Sequence, residues 1–390
     1  MKPPVAVSGL GCRCAAGDTL GACMESLRLG QRHPVPPVRL HTNHPAPFPV
    51  FEVLGFEHPP ELLRTSALLL AAAREALRDA GLDEGALGDL RVGVCVGTTV
   101  GCALSDEPFC RAFREGQDPN LAPLERVLQN NPAGVLARTF GLGGPCQNVV
   151  NACSSGTDAI GLGASWIQAG LCDVVLAGGA DELSRITLNG FIALKIVDPG
   201  PCRPFDLERR GLNLGEGAAV LVLESEASLL RRRGRARGRV LGYGAACDAH
   251  HQTAPHPEGA GLRRAILDAL HRAGVEGSEL AFVNAHGTGT PDNDRVEGRV
   301  FADLLPGIPF FSTKGHTGHT LGAAGAIEAA FTLASLEAGW VPASAGFQTP
   351  DPEIGSQPTG RVQTVTGRAA LSTSLAFGGN NAAVVFGVAP

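Results

Sequence analysis

The chain has 390 residues, of which 44% are apolar, 18% are charged and 5% are aromatic. This length is sufficient for two units with separate cores, and the composition excludes an intrinsically disordered protein. The formal net charge of −6 argues against general nucleic-acid binding, and the longest apolar run, Ala67–Ala73, is too short to cross a membrane. Because Val5-Ala6-Val7 leads at once into Ser8-Gly9, we expect no signal peptide and predict a cytoplasmic protein.

The first predicted strand, Val5–Ser8, leads into Gly9-Leu10-Gly11, which is similar to the start of a dinucleotide-binding turn. The third glycine of that motif is replaced by Cys14, and no acidic residue ends a second strand about twenty positions further on. We therefore interpret this segment as an ordinary connection. Among the 11 cysteines, Cys12 and Cys14 have no second pair at metal-binding spacing, so we expect mostly small buried side chains and no disulfide scaffold.

One pattern occurs twice along the chain. The helical segment Ala76–Leu82 recurs as Ala269–Val275, and each copy precedes an apolar strand that ends in Gly-Thr. The segment Gly215–Leu223 recurs in the same way as Gly379–Gly387. Alternating helix and strand patterns in each copy predict two similar α/β halves that meet near residues 225–238. The predicted units are residues 1–230 and 231–390.

Runs dense in valine predict the strands. Because these runs do not alternate with polar residues, we expect helices on both faces of the sheets. The predicted strands are Val5–Ser8, Val92–Val96, Asn148–Ala152, Asp173–Ala177, Ala218–Leu223, Val240–Tyr243, Ala281–Ala285, Phe310–Thr313 and Ala382–Phe386.

Between the halves, the segment Arg231–Arg237 is rich in arginine. We interpret it as a solvated helix end followed by a turn, since cations are favourable at a helix C-terminus. A docking patch for an acidic partner is the alternative interpretation.

Cys153 is the candidate nucleophile. The predicted strand Asn148–Ala152 leads directly into Cys153-Ser154-Ser155-Gly156, which opens the predicted helix Thr157–Gln168. A thiol at a helix N-terminus is placed where the partial positive charge favours thiolate, and the free N–H groups of that turn can stabilise an oxyanion.

The second half supplies candidate polar partners. His286 follows the predicted strand Ala281–Ala285 and lies in Asn284-Ala285-His286-Gly287-Thr288-Gly289-Thr290, where it should project into a ligand crevice. Lys314 follows the next strand. It is one of only three lysines in the chain, so a lysine at this position suggests that a compact ammonium is required there. The other two are Lys2 and Lys195, and Lys195 has no evident role. His316 and His319 lack an acidic residue or cysteine at ligand spacing, so we predict no metal site there. The segment 375–381 is predicted to be a glycine-rich turn facing a ligand.

The order of Cys153, His286 and His319, each in a Gly/Ala-rich motif, resembles that of the β-ketoacyl-acyl carrier protein synthases of the thiolase superfamily. The segments Cys202–Asp206 and Asp248–Pro257 extend the likeness over essentially the whole chain. The resemblance implies an α/β thiolase-like fold, in which two similar halves stack as a five-layer αβαβα sandwich.

The resemblance also implies the role of each site residue. Cys153 would accept the acyl group, and His286 and His319 would promote malonyl decarboxylation and hold the enolate. Lys314 would support the histidines, with Glu297 as its acidic partner. Phe377 would be a gate whose N–H, with that of Cys153, forms the oxyanion hole. Thr288 and Thr290 would bind the pantetheine arm.

These roles describe a decarboxylating Claisen condensation, in which an acyl-cysteine and a malonyl thioester give a β-ketoacyl product and carbon dioxide. The expected partner is acyl carrier protein, and no metal or redox cofactor is expected. Asn380, where the family commonly has threonine, and a somewhat short first half favour specialised polyketide or polyene assembly over primary fatty-acid synthesis.

Two alternatives belong to other functional classes. A chain-length-factor-like subunit would resemble the family but lack the nucleophilic cysteine, and a degradative thiolase would carry a second catalytic cysteine late in the chain. Cys153 argues against the first, and the lack of any cysteine after Cys247 argues against the second. Relatives of this fold pair through the strand before the nucleophile, here Gln147–Asn151, and we expect a homodimer or a heterodimer with a chain-length-factor-like homologue.

Overall fold

The computed structural model describes residues 3–42, 44–46, 48–102 and 105–388. Strands and helices alternate along these residues, as the repeated pattern predicts. The strands are β1 (Val5–Cys14), β2 (Val92–Gly97), β3 (Cys146–Val149), β4 (Val174–Asp181), β5 (Gly217–Glu224), β6 (Gly238–Cys247), β7 (Leu280–Asn284), β8 (Phe310–Phe311), β9 (Trp340–Val341), β10 (Gln363–Thr364), β11 (Ala369–Ala376) and β12 (Asn380–Val388). The helices are α1 (Leu20–Arg28), α2 (Arg64–Asp79), α3 (Glu107–Arg114), α4 (Ala122–Gln129), α5 (Pro132–Thr139), α6 (Ser155–Gln168), α7 (Arg185–Ala193), α8 (Glu226–Arg231), α9 (Ala260–Ala273), α10 (Pro291–Leu304), α11 (Lys314–Thr317) and α12 (Ala324–Ala338).

The sheet repeats one strand order in each half. The first half runs β3-β2-β4-β5-β1 and the second runs β6-β12-β11-β7-β8, which is the same order reversed. The two halves are joined where Val5–Val7 of β1 pairs antiparallel with Gly238–Val240 of β6. This repetition confirms the predicted fold of two similar α/β halves.

Helices cover both faces of the two half-sheets. The outer face of the first half packs against α2 and α5, and the outer face of the second half packs against α9 and α10. Between the half-sheets lie α6 and α12, whose side chains share one cluster with β1, β5, β6 and β12. The order from one side to the other is therefore helix, sheet, helix, sheet, helix.

The two central helices approach each other closely because glycine is present at their contact. A Cβ built on Gly156 of α6 would lie 2.7 Å from the backbone N of Ala326, and one on Gly325 of α12 would lie 2.1 Å from Thr157 Oγ1. The 18-residue stretch Leu321–Ala338 is apolar enough to span a membrane by length and composition alone, with a mean hydropathy of 1.2. Since 89% of it is buried inside the protein, we interpret it as a core element.

The predicted elements need four corrections. The connection predicted at Gly9-Leu10-Gly11 lies inside strand β1, which continues to Cys14 and pairs with β5. Its glycines let α2 pack directly on the strand, since a Cβ on Gly9 would lie 2.1 Å from Ala76 O.

The strand before the nucleophile ends at Val149 and not at Ala152, because Ala152 adopts a positive φ of 49° and already belongs to the following turn. The strand at Phe310 has two residues, since Thr313 is the N-cap of α11. The sequence analysis also missed β11, whose serines, threonine and small apolar residues are buried at nearly every position and show no alternation.

The arginine-rich segment is held by ion pairs within the protein. Arg232 pairs with the buried Glu224 at 2.7 Å, and Arg237 pairs with Asp79 and Glu337 at 2.9 and 2.5 Å. These pairs tie the connection between the halves to α2 and α12, which favours the structural interpretation over a docking patch.

The proposed division into residues 1–230 and 231–390 stays a prediction. The connection between β5 and β6 lies within the predicted join. However, Phe205 from the first unit packs in the core of the second with Leu262 and Phe310, and Arg209 pairs with Asp351 at 2.6 Å. The segment between β4 and β5 therefore belongs to both cores.

Candidate active site

A cavity of about 330 Å³ opens where the two halves meet. Its lining brings together six of the eight predicted site residues, namely Cys153, His286, His319, Thr288, Thr290 and Phe377. The remaining two, Lys314 and Glu297, are fully buried. They do not line the cavity, and each forms a hydrogen bond with the backbone of His286. Side chains that are far apart in sequence thus meet because the carboxyl ends of strands from both halves face one crevice.

Cys153 lies on a single 3₁₀ turn, Ala152–Ser154, that leads directly into α6. The residue before it, Ala152, has a φ of 49°, which costs a non-glycine residue about 1–3 kcal/mol and is typical of functional turns. Ser155 stabilises the turn, because its hydroxyl donates to Ala152 O at 2.6 Å and accepts from Asn151 N at 2.8 Å. The thiol is 5% exposed and faces the cavity.

Burial has the largest effect on the pKa of the Cys153 thiol. Burial raises its pKa to about 12, although the charge of Lys314 and a hydrogen bond from the backbone N–H of Phe377 act in the opposite direction. At this depth desolvation of the charged form outweighs these two contributions, and the expectation that the helix N-terminus favours a thiolate stays a prediction. The N–H of Phe377 nevertheless points at the thiol, as the predicted oxyanion hole requires.

Both histidine rings accept a hydrogen bond at Nδ1, which leaves Nε2 as the nitrogen available to the cavity. His286 Nδ1 accepts from Lys314 Nζ at 3.0 Å, and His319 Nδ1 accepts from the backbone N–H of Leu321 at 3.1 Å. Burial, and then the charge of Lys314, hold the pKa of both rings well below the usual value for histidine. A neutral imidazole whose Nδ1 accepts carries its proton on Nε2. The rings lie edge to face, with centroids 5.1 Å apart, so the site offers two neighbouring neutral N–H donors.

Lys314 is the buried cation behind this pair. Its three ammonium protons have three acceptors: His286 Nδ1, His286 O at 2.6 Å and the carboxylate of Glu328. The predicted partnership with Glu297 is wrong, since the ion pair is formed with Glu328 of α12. Burial raises the pKa of Glu328 to about 7, although Lys314 lowers it. The sequence signal for this residue was a carboxylate within the Gly/Ala-rich first turns of α12.

Glu297 of α10 braces the loop that carries His286. Its carboxylate accepts from the backbone N–H groups of His286 and Gly287, both at 2.7 Å, and from Thr373 Oγ1 at 2.8 Å. Burial raises its pKa to about 7. Its function is therefore to position the His286 backbone, and it does not pair with the lysine.

Thr288 and Thr290 lie at the cavity wall with their hydroxyls 2.8 Å apart. Asp294, one turn into α10, accepts from the backbone N–H groups of Thr288 and Gly289 at 3.0 and 3.1 Å. Gly289 has a φ of 82°, a conformation that glycine adopts at little cost. These contacts fix the loop so that both hydroxyls face a ligand entering the cavity.

Phe377 begins a tight turn, Phe377–Gly379, between β11 and β12. Its ring stacks on Phe191 of α7, with centroids 5.4 Å apart and planes at 13°. The turn is held by hydrogen bonds from Gly378 N to Gln252 O and from Asp248 N to Gly379 O. Phe191 and Lys195 also line the cavity, although no local pattern in the sequence indicated a role for either residue.

Two parts of the structure contain side chains that could bind a metal ion. His316 lies with its two ring nitrogens 2.8 and 3.2 Å from the carbonyl oxygens of Gln31 and Ala343, so both are already engaged. The structure adds Cys23 to Cys12 and Cys14, and the three buried sulfur atoms lie within 4.8 Å of one another. Hydrogen bonding within the cluster raises the pKa of Cys12 and lowers that of Cys14, so these pKa shifts do not point in one direction. Because all three side chains pack in the apolar core with Leu20 and Leu27, we interpret this cluster as core packing.

Comparison with known proteins gives a consistent result. The family model for the beta-ketoacyl synthase N-terminal domain matches residues 51–228, and that for the C-terminal domain matches residues 237–348. The chain is 34% identical to the tetracenomycin polyketide synthase ketoacyl synthase alpha subunit of Streptomyces glaucescens, with 98% of this chain and 96% of that protein covered. It is 31% identical to 3-oxoacyl-(acyl-carrier-protein) synthase 2 of Synechocystis sp., with 99% and 98% covered. A solved structure, the ishigamide ketosynthase/chain length factor, superposes with a TM-score of 0.94 at 32% identity, and both chains are covered completely.

The histidine environment yields a testable pKa effect. Replacing Lys314 by methionine removes a positive charge that disfavours both imidazolium forms, so the pKa of His286 and of His319 should rise toward 6.5. Burial persists in this variant, and the pKa values should therefore stay below that of an exposed histidine. Titration of the ring signals by NMR, assigned with His286→Ala and His319→Ala, measures the change.

The double variant Lys314→Met/Glu328→Gln is the matched control, because it leaves no unpaired buried carboxylate. The same rise is expected in it. Unchanged or lower histidine pKa values in both variants would show that Lys314 does not keep the rings neutral.

Proposed function

The chain belongs to the β-ketoacyl synthase family, and on that basis we propose that Cys153 carries the acyl group while His286 and His319 drive decarboxylation of a malonyl thioester. The protein is a condensing acyltransferase that makes β-ketoacyl thioesters. One observation supports this assignment of roles above all: a single thiol and two Nε2–H donors converge on one cavity.

The first half-reaction is acyl transfer. Cys153 Sγ attacks the carbonyl carbon of an acyl thioester, and the backbone N–H groups of Cys153 and Phe377 stabilise the tetrahedral oxyanion. The carrier carbon–sulfur bond then breaks, and the carrier thiolate leaves with the proton that Cys153 lost. Because burial raises the pKa of this thiol to about 12, we propose that the proton leaves Sγ as the attack proceeds.

The second half-reaction forms the carbon–carbon bond. The bond between the malonyl carboxylate and its α-carbon breaks, carbon dioxide leaves, and the electron pair moves to the thioester oxygen as an enolate. His286 and His319 donate Nε2–H to that oxygen, and Thr288 and Thr290 hold the pantetheine amides. The enolate carbon attacks the acyl-Cys153 carbonyl, the C–S bond breaks, and the cysteine takes up one proton.

Acyl carrier protein is the proposed carrier of both substrates, because Thr288 and Thr290, proposed to bind a pantetheine arm, line the same cavity as Cys153. The name of the Synechocystis relative contains the same carrier. We place the protein in specialised polyketide assembly, which agrees with the name of the Streptomyces glaucescens relative and with Asn380 in place of threonine.

The proposed partner subunit is a second ketosynthase-fold chain. The strand β3 lies at the edge of the sheet, which excludes the alternative that it is a central strand. Gln147–Asn151 carries no charge, and Val150 is 63% exposed, whereas unpaired strand edges are usually protected by charge or cover. The alpha-subunit relative and the ketosynthase/chain length factor structure favour a heterodimer with a homologous chain over a homodimer.

Incubation with acyl-loaded carrier protein should place the acyl group on Cys153 alone. Cys153→Ala should fold normally and form no adduct, because alanine fits the space of a small buried thiol. Mass spectrometry of peptides locates the adduct, and its mass identifies the acyl group. Cys146→Ser, which alters an exposed thiol on the neighbouring strand, should leave the adduct intact. An adduct on Cys12 or Cys146 would contradict the assignment.

The histidine variants should separate the half-reactions. His286→Ala and His319→Ala should still accept an acyl group on Cys153, because the oxyanion donors of that step are backbone N–H groups. Each should lose malonyl decarboxylation by about a hundredfold or more, as expected when one oxyanion donor is removed. Release of labelled carbon dioxide measures this step. A variant that decarboxylates malonyl thioester at the parent rate would show that the replaced histidine does not stabilise the enolate.

Association through β3 is tested at Val150, whose side chain is largely outside the monomer core. Val150→Asp should abolish pairing with the partner subunit, because the unpaired carboxylate would be buried at a cost of several kcal/mol. Leu230→Asp is the control, since Leu230 is 74% exposed on α8, away from this edge. Sedimentation at micromolar concentration measures the species. A parent chain that sediments as a 40.1 kDa monomer alone would refute self-pairing and favour the heterodimer, whereas unchanged pairing in Val150→Asp would refute this edge as the interface.

A further inference from the structure

A hydrogen-bond network surrounds the nucleophile turn on the side away from the cavity. Its centre is Asp158, which lies in the first turn of α6, directly after the turn that carries Cys153, and is 7% exposed. The carboxylate Oδ2 accepts from Ser154 Oγ at 2.8 Å and from Asn151 Nδ2 at 2.9 Å. These two partners flank the turn on either side of Ala152 and Cys153, so one carboxylate oxygen holds both ends of the turn.

The other carboxylate oxygen is held by the second half of the protein. Tyr243, the only tyrosine in the chain, donates its hydroxyl to Asp158 Oδ1 at 2.8 Å from strand β6. Its ring packs against Gly161 of α6, where a Cβ would lie 2.4 Å from the ring. Burial, and then the charge of Asp158, raise the pKa of Tyr243, so the phenol keeps the proton that it donates.

The turn requires such support because its backbone is strained. Ala152 has a φ of 49°, and Asn151, with φ −123° and ψ 43°, is also outside the regular strand and helix regions. Strained backbone persists only where surrounding contacts fix it. The orientation of Cys153 toward the Phe377 N–H therefore depends on contacts that hold residues 151–154.

We propose that Asp158 is a positioning residue for the nucleophile: together with Tyr243 it holds the Asn151–Ser154 turn so that Cys153 meets its oxyanion donors. Asp158 is not among the residues that line the cavity and does not touch the substrate, so it acts through the turn. The inference rests on the proposed function, because it assumes that Cys153 accepts the acyl group.

The test measures the steady-state kcat and KM of the condensation reaction in the parent, in Asp158→Asn and in Asp158→Ala. A misplaced nucleophile should lower kcat by about ten- to hundredfold in Asp158→Ala while KM changes less than about twofold, since the substrate contacts are untouched. Asp158→Asn keeps one carbonyl acceptor and should fall between the parent and Asp158→Ala. Alkylation of Cys153 by iodoacetamide, which needs no oxyanion hole, should persist in every variant.

Tyr243→Phe provides the second arm. It should lower kcat in the parent background and have no further effect in Asp158→Ala, because the tyrosine acts through the carboxylate. Thr157→Ala is the matched control: Thr157 is the neighbouring buried residue on α6, and its hydroxyl bonds Ser374 of the second half at 2.8 Å without touching the turn. It should lower the melting temperature and leave kcat near that of the parent.

A folded Asp158→Ala with parent kcat overturns the proposal. If Asp158→Ala does not fold, Ser154→Ala and Tyr243→Phe are measured instead. Ser154→Ala removes the hydroxyl that contacts Asp158 Oδ2 and Asn151 O, and Tyr243→Phe removes the hydrogen bond to Asp158 Oδ1. Parent kcat in both variants overturns the proposal as well. A parent enzyme that forms no acyl adduct would instead refute the proposed function, and this outcome is distinguishable because iodoacetamide alkylation still reports the thiol.

Discussion

The chemistry of this protein depends on one buried cation. The ammonium of Lys314 lies in a dry interior, where an unpaired charge is very costly, and it is stable there because Glu328 and two atoms of His286 accept its three protons. From that position it disfavours a proton on the imidazole of either His286 or His319 and keeps His286 Nδ1 as an acceptor. It also lowers the cost of forming charge on Cys153. Removing one member of such a pair costs about 3–5 kcal/mol, so the polar site and the stability of the fold are linked.

The repeated architecture explains how these groups meet. Each half presents the carboxyl ends of its strands to the same crevice. The first half contributes the thiol of Cys153, and the second contributes the imidazoles of His286 and His319 together with the buried Lys314. The central helices α6 and α12 begin at this crevice. Glycines at their contact bring them close enough for Cys153 and Glu328 to belong to one site. Asp181 reinforces the junction, because its carboxylate accepts from the N–H groups of Thr99 and Gly322, both at 2.7 Å.

Much of this arrangement was predictable from local patterns. Valine-rich runs and the internal repeat indicated two α/β halves, and the strand-to-helix corner at Cys153 and the Gly/Thr loop after His286 indicated the site. The missed features depend on tertiary context. Strand β11 is buried on both faces and has no alternating pattern, and the pairing of Lys314 with Glu328 depends on where α12 packs. The raised pKa of Cys153 reflects depth of burial, which a helix N-terminus in the sequence does not reveal.

The central claim is that His286 and His319 are two neutral rings, each with its proton on Nε2. Nitrogen-15 NMR of the resting enzyme at neutral pH tests this most directly, because the protonated and bare nitrogens of imidazole have well-separated chemical shifts. The account predicts bare Nδ1 and protonated Nε2 in both rings. A proton on Nδ1 of either ring, or an imidazolium, would contradict it, because the site would then lack its pair of neutral donors for the enolate.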